Sequence, residues 1–291
     1  MTSANGPAAE QAEWDVVIAP ARPWWRLDLG EIWRYRDLLK ELVVRDLTAI
    51  YKQTILGPLW VLVQPLITSL MFAVVFGLIA KMSVPGIPGL LFYMSAVVPW
   101  AFFSGVITKT AATLMANAPL MTKVYFPRLI APLSTMFSTG FTFLVQLVFF
   151  FTFALVYRFS GSYAWAPGAA LLWLPLLLLL QMMLAFGVGL MVAALTTKYK
   201  DLNFLIQYAV QLLMYASPVI FPLSRLEPGS KAYQFISANP MTPIIEGFRG
   251  ALLGTPVQWG TLWYAAAVGT ALLILGLAMF QRAQRSFADV V

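Results

Sequence analysis

LLWLPLLLLLQMMLAFGVGLMVAAL, residues 171–195, runs for 25 residues without a charged side chain. As a helix it is about 37 Å long, and the hydrocarbon core of a bilayer is about 30 Å thick. A helix satisfies its own backbone hydrogen bonds, so apolar side chains suffice to hold such a segment in lipid. Working outward, five further stretches have the same character. The six charge-free stretches lie between Lys52 and Lys81, Lys81 and Lys109, Arg128 and Arg158, Arg158 and Lys198, Asp201 and Arg225, and Arg249 and Arg282. The chain therefore reads as an all-α integral membrane protein with six transmembrane helices, at about 55–80, 89–107, 133–156, 169–195, 202–221 and 262–280.

Composition points the same way. Of 291 residues, 60% are apolar and 11% are charged, where soluble domains carry about 25% charged residues. The net charge of +7 comes from basic residues that flank the spans rather than cluster, which argues against a nucleic-acid partner. Without cysteine there is no disulfide, and without histidine the commonest acid–base group and metal ligand is missing. No metal site is expected. The first fifty residues contain no apolar core of a secretory signal, so none is expected.

Outside the spans, residues 1–23 read as a mobile tail. Residues 24–54 read as an amphipathic helix with an aromatic entry at Trp24, Trp25, Trp33 and Tyr35. Ile32, Tyr35, Leu39, Leu42 and Val43 form its apolar face, with Arg34, Asp37, Glu41 and Arg45 opposite. Such a helix can lie in the membrane interface or pack on the protein. The loops at 108–132 and 196–201 and the tail at 281–291 are basic. The positive-inside rule places these, and both termini, in the cytoplasm. Loops 81–88, 158–168 and 222–260 then lie outside.

Two short segments stand apart. Asn117 as a cap, Pro119 in a first turn and Pro127 as a stop predict a cytoplasmic helix at about 117–126. In the last outer loop, Thr242-Pro243 opens an apolar helix that Gly254 can end, with 233–237 as a partner. These outer helices, at about 230–254, are too short to cross and read as re-entrant.

The missing chemistry narrows the function. By these boundaries no span carries an ionisable residue in its middle, which argues against a proton- or sodium-driven carrier. There is no phosphate-binding GxxxxGK[ST] loop, and no Ser/His/Asp or Cys/His set is possible. No catalytic residue is assigned. The spans carry uncharged polar stripes instead. Trp60, Gln64 and Thr68 repeat every four residues, as do Asn203, Gln207 and Gln211, with Tyr208 and Tyr215 alongside. Rings that stack on sugars and amides that bond hydroxyls fit a polymer path. Thr135, Ser138, Thr139, Thr142 and Gln146 form a third stripe. Polar stripes also join helices, and both readings stay open for all three.

Four strings then carry a family resemblance: YKQTILGPLW at 51–60 with QPL at 64–66; KVYFPRL at 123–129 with PLS at 132–134; YKDL at 199–202 leading to YASPV at 215–219; and Asn239-Pro240 with Glu246 and Arg249. In this order they resemble ABC-type permeases that export polysaccharide and O-antigen. The resemblance implies a homodimeric channel with two separate ATPase subunits, which hold ATP and magnesium; this chain holds no cofactor. It implies a lipid substrate, an undecaprenyl-diphosphate-linked polysaccharide, moved across a bacterial inner membrane. The amphipathic helix becomes a gate helix, with Arg34, Arg36, Lys40 and Arg45 as its basic residues. Asn117, Pro119, Lys123, Tyr125 and Arg128 become the ATPase-coupling segment. Glu246 and Arg249 become an outer gate, and Trp60, Gln64, Thr68, Tyr208, Gln211 and Tyr215 the substrate path. The competing readings are a teichoic-acid, capsule or drug-exporting permease, a membrane-embedded lipid–sugar transferase, and a single-chain carrier.

Overall fold

The computed structural model describes residues 29–286 except 53, 83, 122, 198 and 200. The expected tail at 1–23, the entry of the amphipathic helix at 24–28 and the last five residues lie outside the described ones. Among the described residues the fold is all-helical, without strands. Five stretches are long and apolar enough to cross a membrane: Gly57–Ile79, Gly89–Ala116, Ile130–Phe159, Gly168–Thr196 and Trp259–Gln284.

The amphipathic segment is two helices, α1 (Leu29–Arg34) and α2 (Arg36–Tyr51), meeting at Tyr35. After a 3-10 turn, α3 (Trp60–Phe72) continues as a π-helical segment, Ala73–Ile79. Pro65 lies inside α3, and without an N–H it leaves the carbonyl of Val61 short of its helical donor. Gln146 on the neighbouring α6 supplies one, its Nε2 donating to Val61 O at 2.9 Å.

The second span, α4 (Gly89–Ala116), has 28 residues and is the axis of the bundle. Every residue from Leu91 to Trp100 is buried, the pattern of a helix that is apolar on all sides. It packs against α3, α6 (Ile130–Phe159), α7 (Leu174–Thr196), α8 (Leu202–Tyr215) and α10 (Met241–Leu253). The sequence reading ended this span at 107. The helix runs nine residues further because Thr108–Ala116 contains no breaker and Thr110, Ala111, Thr113 and Leu114 are buried. Lys109, read as the start of a loop, therefore belongs to the helix of the second span, toward its end rather than its middle.

α6 shows a different face to its surroundings. Phe137, Phe141, Leu144 and Val148 are exposed at helical spacing, as a lipid-facing stripe should be. α7 and α11 (Leu262–Ser286) make the closest backbone approach. A Cβ on Gly276 would sit 2.3 Å from Gly187 O, and one on Gly187 would meet the α11 backbone at 2.6 Å. Small residues at such a crossing let two backbones touch.

Two expected elements are shorter than the sequence suggested. The segment expected at 117–126 is a single helical turn, α5 (Ala118–Met121). Asn117 does not cap it with its side chain. Its Nδ2 donates back to Thr113 O at 2.9 Å, and its Oδ1 accepts from Arg45. The stretch expected at 202–221 is helical only as α8, 14 residues, about 21 Å. Pro218 ends it, because proline has no N–H and drives the preceding residue out of the helical region.

The last outer loop folds as α9 (Lys231–Ser237) and α10. Asn239, not Thr242, supplies the cap of α10, accepting from Met241 N–H at 2.9 Å. Gly254 ends it with φ of 73°, a conformation suited to glycine. Every residue of α10 except Glu246 is buried, so α10 is inserted among α4, α7 and α11 rather than laid on the surface.

Candidate functional site

Three polar regions stand out, and the first binds α2 to the end of the bundle formed by the close of α4, the α5 segment and the start of α6. Leu42 packs with Phe126 and Ile130, with Tyr35, Leu38, Leu39, Leu120 and Met121 around them. The apolar face of α2 thus lies on protein. The polar side is tied down as well. Arg45 donates to Asn117 Oδ1 at 2.9 Å and pairs with Asp46 at 2.8 Å. Asp46 accepts from the Ser134 hydroxyl at 3.4 Å. The Tyr35 hydroxyl donates to Tyr125 O at 3.4 Å, and Arg128 donates to the carbonyl of Gln284. One residue set therefore connects α2, the end of α4, the α5 segment, α6 and α11. Asp46 and Ser134 were missed by the sequence reading; a carboxylate next to Arg45 was the available signal.

Other members of the expected sets face outward. Arg34, Arg36 and Lys40 are exposed, with the Arg36 guanidinium 5.5 Å from the Trp33 ring centre. Pro119 and Lys123 are exposed, and Tyr125 presents 80% of its surface.

The second region is a pair of exposed faces, one on α3 and one on α8. Trp60 is 48% exposed, Tyr208 67% and Tyr215 53%, far more than structural aromatics retain in a core. Gln64 and Gln211 are exposed too, while Thr68 is half-buried and bonds the Gln64 carbonyl at 2.9 Å. α3 packs on α4 and α6, and α8 on α4 and α7. The two expected stripes thus seat separately on α4, each with its polar aromatic face uncovered by this chain. The third stripe behaves otherwise. Thr135, Ser138 and Thr142 turn their hydroxyls back onto their own helix, and Gln146 clamps α3. It joins helices.

The third region centres on Arg249, 1% exposed. It pairs with Glu246 at 2.7 Å, donates to Pro218 O at 2.8 Å, and lies 4.4 Å from the centre of the Phe92 ring. Glu246 also accepts from Leu223 N–H at 3.1 Å. The pair therefore holds the bend after α8 onto α10 and α4. Nearby, Trp165 Nε1 donates to Leu252 O at 2.7 Å and the Tyr163 hydroxyl to Leu253 O at 3.1 Å. These satisfy carbonyls that the end of α10 leaves free. Burial raises the Tyr163 phenol above its ordinary range, keeping it a donor at neutral pH. Phe92 and the Pro218 carbonyl were not legible as partners, being distant in sequence. Among the described residues, no three acidic, His or Cys side chains gather to hold a metal.

Five helices long and apolar enough to cross a membrane, packed around the buried α4, define a multi-pass membrane protein. The chain belongs to the ABC-2 type transporter family, whose model matches residues 37–253. It is 26% identical over 255 residues to the O-antigen export system permease protein RfbA of Klebsiella pneumoniae, covering 88% of this chain and 95% of that protein. The RfbA of Myxococcus xanthus is 25% identical over 262 residues, 90% of this chain and 98% of that one. The polysialic acid transport protein KpsM of Escherichia coli is 22% identical over 249 residues, 84% and 92% respectively.

Proposed function

We propose that this chain is the membrane subunit of an ATP-driven exporter that moves a lipid-linked, O-antigen-like polysaccharide across the bacterial inner membrane. Two copies form the channel, and two separate ATPase subunits supply ATP hydrolysis with magnesium. The observation that carries the reading is the pair of uncovered amide–aromatic faces on α3 and α8, in a chain whose relatives are named for O-antigen and polysialic acid export. Exposed rings at Trp60, Tyr208 and Tyr215 would be costly against lipid tails unless their polar groups were met. Facing a sugar chain, the rings stack and Gln64, Thr68 and Gln211 bond hydroxyls.

At the cytoplasmic face, Pro119, Lys123 and Tyr125 are open for an ATPase, while Asn117 and Arg128 hold the segment to the bundle. α2 is the gate helix in this reading, with Arg34, Arg36 and Lys40 presented outward and Arg45 linked to Asn117. The outer gate is α9 with α10, held by Glu246 and Arg249. Both termini are cytoplasmic, and α8 with the bend behind it makes a sixth crossing.

The test is co-expression with a candidate ATPase, scoring surface polymer per assembled transporter. Trp60→Ala, Tyr208→Ala and Tyr215→Ala should lower that ratio several-fold with assembly intact. Unchanged polymer per transporter in all three removes these faces from the path. Failure of the chain to co-purify with any ATPase overturns the exporter.

A further inference from the structure

Lys109 is an ammonium inside a membrane helix, and its surroundings say what it faces. It lies twenty residues after Gly89, about 30 Å of rise, which spans the hydrocarbon core of about 30 Å. Its charge is therefore at the cytoplasmic edge of the apolar layer, the depth of lipid phosphates. The residue is exposed within this chain. Its Nζ donates to the Thr139 hydroxyl at 3.5 Å, and among the described residues it makes no ion pair. The carboxylate whose field reaches it is Asp46 on α2, which is already held by Arg45 and Ser134.

The face of α4 leading to Lys109 is lined by small side chains, with Gly105 close against Thr139 of α6 and the Ser104 and Thr108 hydroxyls bonded to carbonyls of their own helix. Ala101, Ser104, Gly105, Thr108 and Ala112 are all partly exposed, at helical spacing. A face turned to lipid tails looks different in this same protein, as Phe137, Phe141, Leu144 and Val148 on α6 show. A charge inside a membrane helix is expensive unless it meets a partner, and lysine offers three donors and no acceptor.

We propose that Lys109 binds a phosphate of a membrane-anchored lipid at the cytoplasmic end of α4, its ammonium steadied by the Thr139 hydroxyl behind it. Where the ligand is a polyprenyl diphosphate, the site holds the carrier end of the exported chain; this rests on the function proposed above. Lysine supplies the charge and its remaining donors, while the buried Thr139 hydroxyl accepts a hydrogen bond from it and orients it. The second source of the same chemistry is the phosphate of bulk anionic phospholipid.

The experiment uses the purified full chain in phosphatidylcholine nanodiscs, with a polyprenyl diphosphate as probe. Two quantities are read: the affinity for the probe and the rise in thermal midpoint that it causes. Lys109→Gln should weaken binding by about tenfold to a hundredfold, the loss of one charge-assisted contact, and abolish the rise. Lys109→Arg should keep both within about threefold of wild type. Asp46→Asn should bind at least as tightly as wild type, since it removes a competing acid. The probe-induced rise is read against each variant's own midpoint, so lowered basal stability does not obscure it. Binding unchanged in Lys109→Gln overturns the site. Equal loss in Asp46→Asn overturns it too, because Lys109 would then be a strut to α2. Adding phosphatidylglycerol to the nanodiscs separates the sources. Displacement of the probe at equal mole fraction overturns the carrier assignment in favour of bulk lipid, and retention of the probe supports it. No export or ATPase step enters this assay, so a chain that binds the probe yet exports nothing overturns the proposed function alone.

Discussion

A guanidinium taken out of water must recover its hydration from the protein. Arg249 recovers part of it from a carboxylate, the Pro218 carbonyl and the face of Phe92, while its buried Nε finds no partner among the described residues. Removing one partner of such a buried pair costs about 3–5 kcal/mol, because the other charge is stranded. Arg249→Ala should therefore lower the detergent-solubilised thermal midpoint sharply, as followed by fluorescence-detected size exclusion. Glu246→Gln should cost at least as much through electrostatics, since it strands the fully buried Arg249 cation while Glu246 itself keeps contact with solvent. Reversing both charges, Glu246→Arg with Arg249→Glu, should not rescue the fold. The new carboxylate would face the Pro218 carbonyl and the negative face of Phe92, so the pair is not symmetric; full recovery would show that the two charges depend only on each other. The spacing of these two residues was legible in the sequence, since three residues apart on a helix share a face. The burial was not, because it depends on a ring and a carbonyl from other elements. Lys109 shows the opposite limit: its charge was counted as the start of a loop, when the helix simply continued past it.

At the level of elements, the helices were legible because lipid imposes composition directly, and their ends were not. Charge-free length set the expected 202–221 span, but Pro218 stops α8 at Tyr215. Caps and prolines set the expected 117–126 helix, but Asn117 was claimed by Arg45 instead. Competition from a distant side chain cannot be read locally. The polar stripes divided the same way. Periodicity found all three, while only packing shows that the Gln146 stripe joins helices. That packing makes a prediction. Gln146→Leu should cost about 1–3 kcal/mol by leaving the buried Val61 carbonyl unpaired. In a Pro65→Ala background the helix regains its own N–H donor for Val61. The cost of Gln146→Leu should then shrink, and a double-mutant cycle on thermal stability reads the difference. Equal costs in the two backgrounds would separate Gln146 from the proline. The α7–α11 crossing gives a second contrast. Gly276→Ala should abolish properly folded protein in the membrane fraction, since its Cβ would meet Gly187 O at 2.3 Å. Gly269→Ala should be tolerated, because its nearest atom lies 3.7 Å away. Equal expression of both variants would mean that the helices part more easily than their contact implies.

For the whole molecule, the open question of architecture is how the chain returns after α7, and the structure constrains the answer. Trp173 opens α7 and Trp259 precedes α11; their rings stack at 4.8 Å with planes 18° apart. The starts of these two helices therefore share one end of the bundle, with Trp263 exposed beside them. Tryptophans in such a belt mark a membrane interface. α7 carries the chain to the opposite end, where Tyr199 lies, so the stretch from Tyr199 to Trp259 must bring it back. α8 supplies about 21 Å of that return. The remainder falls to the bend at Ser217, Pro218, Val219 and Ile220, all buried. Irregular backbone is tolerated at membrane depth when protein covers it, and here Arg249 bonds the Pro218 carbonyl while Asn239 bonds Ser217 at 2.8 Å. Counting long helices alone gives five, and the short α8 with its covered bend is the segment on which a sixth crossing rests. The chain has no cysteine, so single replacements at exposed positions report directly. Tyr199→Cys and Lys123→Cys should react with a membrane-impermeant maleimide only in inside-out vesicles. Ser224→Cys and Gly161→Cys should react only from outside, in spheroplasts. Tyr199→Cys and Ser224→Cys labelling from the same side would leave α8 without a crossing and give five spans. Inversion of all four would keep the six crossings and reverse the orientation that the basic loops imply.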